Sequence, residues 1–534
     1  PVPFANGHAQ VFPKGKIFCD GSVDETTVVY SNNNQTIIPD HEFEDGFCLV
    51  CGTEDTGYTG FLPNIINPDY NSNGNNWEGD ALSIANGVAQ QSKKAFDSYQ
   101  LVTDLQPGVY KLRVQGFSRA AALTDEAVYG EGQLSDDLLR NSYIYAESDG
   151  VRFSRRMMDI TAQAQERKLN GGKDEFELPD QKYVPNSTEA AAVYFAKGKY
   201  WNKPLYLAVT ADTIRVGIRN SFAQTNNWTV ADRWRLEYVG DDEEAYALIA
   251  QQVGEEAQDF SEIEAQETLK EEYTSLTESA PGLSDKDEIL AASDRTSRLP
   301  DSIRISVDAY VAFNQAIQKI MDEWNDRHDL VGDAADRLET YLLEEEEPSD
   351  VYPQGTYLYI KTYRDLSPAQ LSQELLFAQM LYREAVGESL APGSDATPMI
   401  VNPNFNADEE WYGWNCEPSG NGSNWNVHSN LGFMDVYPVA AGYNTTFEAS
   451  QVIEGLPNGI YELTAHAYYR PGADNEGDTE GLDVIPAFLF MNDFDTPVLS
   501  IYEDKLDYAD AVNGQNCRID TQNDPDAPHN GEDT

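Results

Sequence analysis

The chain has 534 residues, with 91 Asp and Glu against 36 Lys and Arg and a formal net charge of −55. That length exceeds one hydrophobic core and predicts about three or four domains. The acidity argues against nucleic acid and anionic membrane surfaces as partners, since both are bound through basic patches. It fits a soluble, self-repelling surface or secreted protein, or one that holds cations. No stretch approaches the roughly 20 apolar residues of a membrane span, so direct membrane insertion is not expected. The sequence opens at Pro1 with neither signal peptide nor initiating Met. This reads as a trimmed N-terminus that leaves secretion open.

Residues 1–62 are polar and hold Cys19, Cys48 and Cys51, three of the five cysteines. With His41 they are spaced C-x21-H-x6-C-x2-C, the last three within HEFEDGFCLVCG. A CxxC followed by Gly forms a tight knuckle, and two ligands from a distant loop complete a closed tetrahedral Cys3His zinc site of structural type. Such a site would explain how so polar a segment holds a shape. The competing reading is a Cys48–Cys51 disulfide in an oxidising compartment. A thioredoxin-type redox motif lacks its βαβ setting here.

Residues 63–240 predict β structure. YKLRVQGF (110–117), IRVGIRN (214–220) and RWRLEYV (233–239) alternate apolar and polar at period two. Pro107-Gly108 is a turn opening a strand, and Asn and Gly cluster between the runs. An antiparallel β-sandwich follows. From 241 to 397 the apolar residues fall at helical spacing among many acids, which predicts an acidic helical bundle serving as a spacer. Its acids read as a solvated face. Ser367 is expected as an N-cap with Pro368 at N1, and Gly387 as a stop. APGSDATP (391–398) reads as the linker into the last module.

Residues 398–534 repeat part of the first module. FDSYQLVTDLQPGVYKLRVQGFSR (96–119) aligns without a gap on FEASQVIEGLPNGIYELTAHAYYR (447–470). Phe96 falls on Phe447, Gln100 on Gln451, Tyr110 on Tyr461 and Arg119 on Arg470. Upstream, INPDYNSN (66–73) matches VNPNFNAD (401–408), each followed by Trp. So long a period means a duplicated domain rather than a solenoid, and duplicated modules bind by avidity or serve as spacing. The strand-rich segment 199–240 has no counterpart after residue 470. The second sandwich is therefore expected to be C-terminally incomplete, and the sequence a fragment of a longer protein.

Catalytic motifs are absent: no GxSxG, HExxH, P-loop or GxGxxG before a helix. A pair of carboxylates for glycoside hydrolysis has no linear signature, but the residues shared by the two copies are aromatic, Gly and Asn. No enzyme is expected. Trp77, Trp228, Trp414 and Trp425 fall in Asn/Gly-rich stretches. Indoles stack on the C–H faces of sugar rings while amides bond hydroxyls, so these four, with Asn76 and Asn227, are the candidate glycan-binding residues. The alternative is that the indoles plug the ends of the sandwich. Asp69, Glu78 and Asp80 are candidates for calcium, turn chemistry being the plainer explanation. Cys416 and Cys517 read as lone structural cysteines or a disulfide, and the remaining histidines show no ligand spacing.

The runs INPDYNSN…W, LQPGVYKLRVQGFSR and IRVGIRNSFAQTNNWTVADRWRLEYVG resemble galactose-binding-like β-sandwich modules of large surface or secreted proteins from Bacteroidetes. HEFEDGFCLVCG is similar to the Cys/His ribbon found beside such modules, and the acidic helices to their spacers. The resemblance implies a jelly-roll fold, an extracellular or cell-surface location and carbohydrate binding, but transfers no ligand. The expectation is a multidomain, mainly β protein: two jelly-roll sandwiches flanking a helical bundle, behind a zinc ribbon. It would bind a polysaccharide or glycoprotein without catalysis. Two alternatives stand beside it. One is a structural or adhesive stalk or filament that associates with itself or with other surface proteins. The other is the accessory part of a longer glycan-degrading enzyme.

Overall fold

The computed structural model describes chiefly residues 57–71, 74–129, 140–327, 329–405, 411–417, 445–467 and 487–498, with short backbone strands in 2–48 and 425–442. The protein is multidomain, with antiparallel sheets and long helices, and forms two compact units. One unit comprises residues 1–319 and 343–376, the other 320–342 and 377–534. The helical segment is thus shared between them.

The two main sheets of the first module are built from ten strands. They are β1 (Glu78–Gly79), β2 (Ser83–Ala85), β3 (Val88–Ser92), β4 (Phe96–Val102), β5 (Gly108–Arg119), β6 (Ser142–Ser148), β7 (Val151–Arg156), β8 (Leu205–Val209), β9 (Ile214–Asn220) and β10 (Trp228–Gly240). They form two five-stranded antiparallel sheets, β7-β6-β9-β4-β1 and β8-β5-β10-β3-β2. Both sheets contribute to one apolar core. Ile144, Phe153, Val216 and Ile218 come from the first sheet, and Tyr110, Leu112, Val114, Trp234 and Leu236 from the second. The apolar residues of the alternation therefore line the shared core, while β5 and β6 are buried on their other faces as well.

One irregularity sets the geometry of the far end. The β5–β10 register shifts between Val114 and Gln115, leaving Arg233 unpaired at φ +48°. A bulge of this kind moves the strand by one residue and exchanges its faces. Trp234 and Leu236 face the shared core, whereas Trp228 and Val230 face a second cluster with Phe117, Phe195 and Tyr200. That second cluster is closed by the β5–β6 connection and by the long β7–β8 connection, which carries helix α1 (Thr188–Ala196) with Ser187 as its N-cap.

Helices α2 (Glu243–Glu255), α3 (Glu267–Ser279) and α4 (Lys286–Asp326) follow directly. α2 lies along the β8 edge, and residues at its end and on α4 reach β7 and β9 of the first sheet. Gln252 Oε1 accepts from the Tyr206 amide at 2.7 Å and its Nε2 donates to the Tyr206 carbonyl at 3.0 Å, so one side chain takes the place of a neighbouring strand at the β8 edge. Arg219 meets Asp301 at 2.6 Å, and the Arg152 amide donates to Asp294 at 2.8 Å. Further helices are α5 (Asp333–Leu343), α6 (Tyr357–Tyr363) and α7 (Pro368–Ser389). Ser367 caps α7 in a reciprocal pair with Gln370, as expected. Gly387 does not stop the helix, which runs on to Ser389.

The second copy is sparser. Asn415–Glu417 pairs with Glu448–Ser450, and Phe488–Met491 with Phe494–Pro497. Residues 451–461 match β4 and β5 in sequence, yet no strand is assigned there, and Ile460 and Val452 are exposed. In the first copy β5 is held on both edges by β8 and β10, whose segment the sequence after residue 470 does not repeat.

Candidate functional site

The residues the two copies share prove to be a lock on the backbone. Gln100 Oε1 accepts from the Ile66 amide at 2.7 Å and its Nε2 donates to the Ile66 carbonyl at 2.8 Å. Gln451 repeats this on Val401, at 2.7 and 2.9 Å. Asn67 and Tyr70 are left-handed at φ +53° and +50°, and so are Asn402 and Phe405 at +50° and +49°. Trp77 Nε1 donates to the Asn67 carbonyl, and Trp414 Nε1 to that of Asn402. The rings repeat as well: Tyr70 lies 5.0 Å from Trp77, and Phe405 lies 5.0 Å from Trp414. Tyr110 donates to the Gln106 carbonyl, as Tyr461 does to that of Pro457. The duplication is thus visible bond by bond, and what it preserves is a strained loop held by an amide and an indole.

The glycan candidates fall out accordingly. Trp77 is half-buried between Tyr70 and Trp234, its ring 4.8 Å from the latter. Trp228 begins a strand instead of lying in a loop and is 6% exposed. Phe117 meets one part of its ring edge-on at 5.3 Å, and the Arg119 guanidinium lies 5.4 Å from its centroid. Neither indole offers a free face for a sugar. Asn227 is buried and its Oδ1 accepts from the Lys93 amide, while Asn76 is exposed at φ +70° with its carbonyl bonded by Gln100. Trp414 is half-buried in its loop. Trp425 begins the strand Trp425–His428, and its side chain lies outside the described residues.

What the structure assembles instead is centred on Arg119, at the end of β5. The cross-strand pairing of Arg119 with Trp228 places the guanidinium on the indole. Nε donates to the Asn226 carbonyl at 3.3 Å and a terminal nitrogen to Asn186 Oδ1 at 2.9 Å. Two residues on from Asn186, Thr188 Oγ1 accepts from Asn86 Nδ2 at 2.8 Å. Asn86, Asn186 and Asn226 are exposed. Arg119 itself is half-buried, and desolvation draws its pKa below the ordinary arginine value, with Tyr129 opposing. The end of the module thus presents an oriented cation held by the Asn186 side chain and the Asn226 carbonyl, with exposed asparagines on the adjoining loops. Arg119 stands in the repeat alignment, but only the β5–β10 pairing reveals what it rests on.

Cys19 and Cys48 each end a short strand. Their side chains, and all of His41 and Cys51, lie outside the described residues. Among the described residues no group of three or more His, Cys, Asp and Glu is set to hold a metal. Of the calcium candidates, Asp69 is bonded to Arg235 at 2.8 Å, Asp80 accepts from the Asp97 amide, and Glu78 is exposed. No described helix is long and apolar enough to cross a membrane. A cavity of about 20 Å³ lies between Tyr143, Arg156, Gln252, Tyr273 and Pro300. It has room for about one water and none for a sugar ring.

No protein-family model matches the chain, and no curated protein matches it. Among solved structures it is similar to the CBM51-2 and INT domains of Clostridium perfringens ZmpB, at 10% identity and a TM-score of 0.13. The match covers 42% of this chain and 37% of that one. A likeness of this size assigns neither fold nor ligand.

Proposed function

We propose that this is a non-catalytic carbohydrate-binding protein of an extracellular or cell-surface location, built on jelly-roll sandwiches. The observation that carries the reading is the Arg119 end of the first module. A fixed guanidinium with three exposed asparagines around it suits a ligand rich in hydroxyls. Recognition there runs through hydrogen bonds at the sandwich end, the buried indoles acting as its support. A structural zinc on Cys19, His41, Cys48 and Cys51 belongs to the same proposal. Metal analysis of the purified chain with thiol titration before and after chelation tests it, and one zinc with three protected thiols is expected. The main test is a glycan-array screen of the full chain over plant, host and microbial glycans. Binding to any class supports the reading, and silence across all three refutes it.

A second reading has its own support. Burial of Trp228 and the close packing of α2 on the β8 edge and of α4 on the first sheet favour a rigid stalk that spaces other domains. Under that reading the same array is silent and the chain self-associates in a concentration-dependent way.

A further inference from the structure

The electrostatic setting of Arg119 is unusual for this chain. Acids outnumber bases by more than two to one, 91 against 36. Accordingly Arg152, Arg155, Arg215, Arg219, Arg235 and Arg364 each lie on a carboxylate. Among the described residues Arg119 does not: its polar partners there are the Asn226 carbonyl and the Asn186 amide oxygen, both neutral. The guanidinium carries five N–H donors, and these bonds use two of them. It is half-buried, and its surroundings already disfavour the charge. A desolvated cation without a counter-ion costs folding energy unless something else compensates it. Stacking on Trp228 compensates in part and fixes the plane of the fork. Its other donors have no acceptor among the described residues, and Asn86, Asn186 and Asn226 of the adjoining loops are exposed.

We infer that the Arg119 end binds its glycan through an acidic sugar residue, the guanidinium pairing with a carboxylate or sulfate while the asparagine amides take neighbouring hydroxyls. This rests on the carbohydrate-binding reading and specifies its ligand class. A planar fork matches a two-oxygen anion, which a neutral hydroxyl cannot reproduce. A ligand anion would meet net repulsion from the rest of the chain. That repulsion is screened beyond about 8 Å at physiological ionic strength, so the contact charge decides.

The test is titration calorimetry of the full chain with galacturonic acid oligomers, their carboxyl-reduced neutral counterparts and sulfated galactose oligomers, for wild type, Arg119→Gln and Arg119→Lys. Wild type is expected to favour an acidic series over the neutral one by about 10- to 100-fold. The uronic and sulfated arms identify which anion. Arg119→Gln should erase the preference, and Arg119→Lys should keep part of it, which separates charge from misfolding. The wild-type comparison needs no variant at all. Equal binding of neutral and acidic series, or an acidic preference that survives Arg119→Gln, overturns the inference and leaves glycan binding standing. Absence of binding to every series, with the glycan array silent, overturns both.

Discussion

Truncating Gln100 is the sharpest probe of the duplicated lock. Gln100 is 3% exposed and makes three bonds, to the Ile66 amide and carbonyl and to the Asn76 carbonyl at 3.1 Å. Gln100→Ala strands all three groups, at about 1 kcal/mol each where water can partly replace the side chain. A total of about 3 kcal/mol raises local opening of the 62–77 loop by about two orders of magnitude. Hydrogen exchange of peptides over 62–77 reads this directly in the intact chain, with residues 445–461 as internal reference. Gln100→Glu should be no better, because a carboxylate accepts from Ile66 N but donates nothing to the two carbonyls. Gln451→Ala should open the Val401 loop by a smaller factor, since its two bonds are less buried. If exchange over 62–77 stays within about twofold of wild type in Gln100→Ala, the lock is decorative and the reading of the repeat is wrong.

Two further outcomes follow from the core. Asp232 is buried beside Arg233 at the bulge, and its carboxyl is pushed up to about 7. Desolvation is the main cause and Asp69 adds to it, against the Arg233 amide and the Arg233 and Arg235 charges. The folded state therefore holds a proton the unfolded chain has released, so this stabilisation is present below about pH 4 and is lost as pH rises through 7. Asp232→Asn should abolish that loss, measured as rate-corrected exchange protection of 228–236 at about pH 5 and about pH 8. A slope that persists in the variant assigns the titration elsewhere. Gly217 lies in β9 between Tyr99 and Tyr145, where an added Cβ would stand 2.5 Å from the Ser98 carbonyl and 2.9 Å from both the Tyr145 ring and the Tyr99 Cβ. Gly217→Ala should cost about 1–3 kcal/mol by overpacking, seen as a lower midpoint in denaturant; an unchanged midpoint would show that the sheet yields.

The β pattern was legible because period-two alternation is a direct image of two sheet faces. Val216 and Ile218 alternate with Arg215 and Arg219, and that is how they pack. The repeat was legible too, but not its meaning: shared Trp and Asn look alike whether they hold a ligand or a loop, and here Trp77 and Trp414 hold loops. Trp228 was misplaced for a different reason. Its burial depends on the Arg233 bulge and on the β5–β6 and β7–β8 connections that cover it, none of which has a local signature. Arg119 was visible as a repeated residue. Its lack of a carboxylate partner among the described residues is a fact about three-dimensional neighbours that no alignment of one chain with itself contains.

The same limit applies to the helices, whose acids read as a solvated face. Several are not. Asp301 pairs with Arg219, whose guanidinium also lies 5.3 Å from the Tyr143 ring, and Asp294 and Glu256 accept from the backbone of β7. These contacts cover the β6–β7 part of the first sheet, so an open-face glycan groove there is closed. They also make α2 and the first half of α4 an extension of the module and not a tether. Asp301→Ala leaves the Arg219 charge, 11% exposed, without its partner. The loss should be about 1–3 kcal/mol, below that of a fully buried pair because Asp301 retains some water. Exchange of 296–306 should rise by about 10-fold or more, and Arg219→Ala combined with Asp301→Ala should fall short of additivity. Additive effects with unchanged protection of α4 would mean that the helix rests on the sheet without being coupled to it. The stalk reading would then lose its best support, because a spacer that slips cannot set a distance.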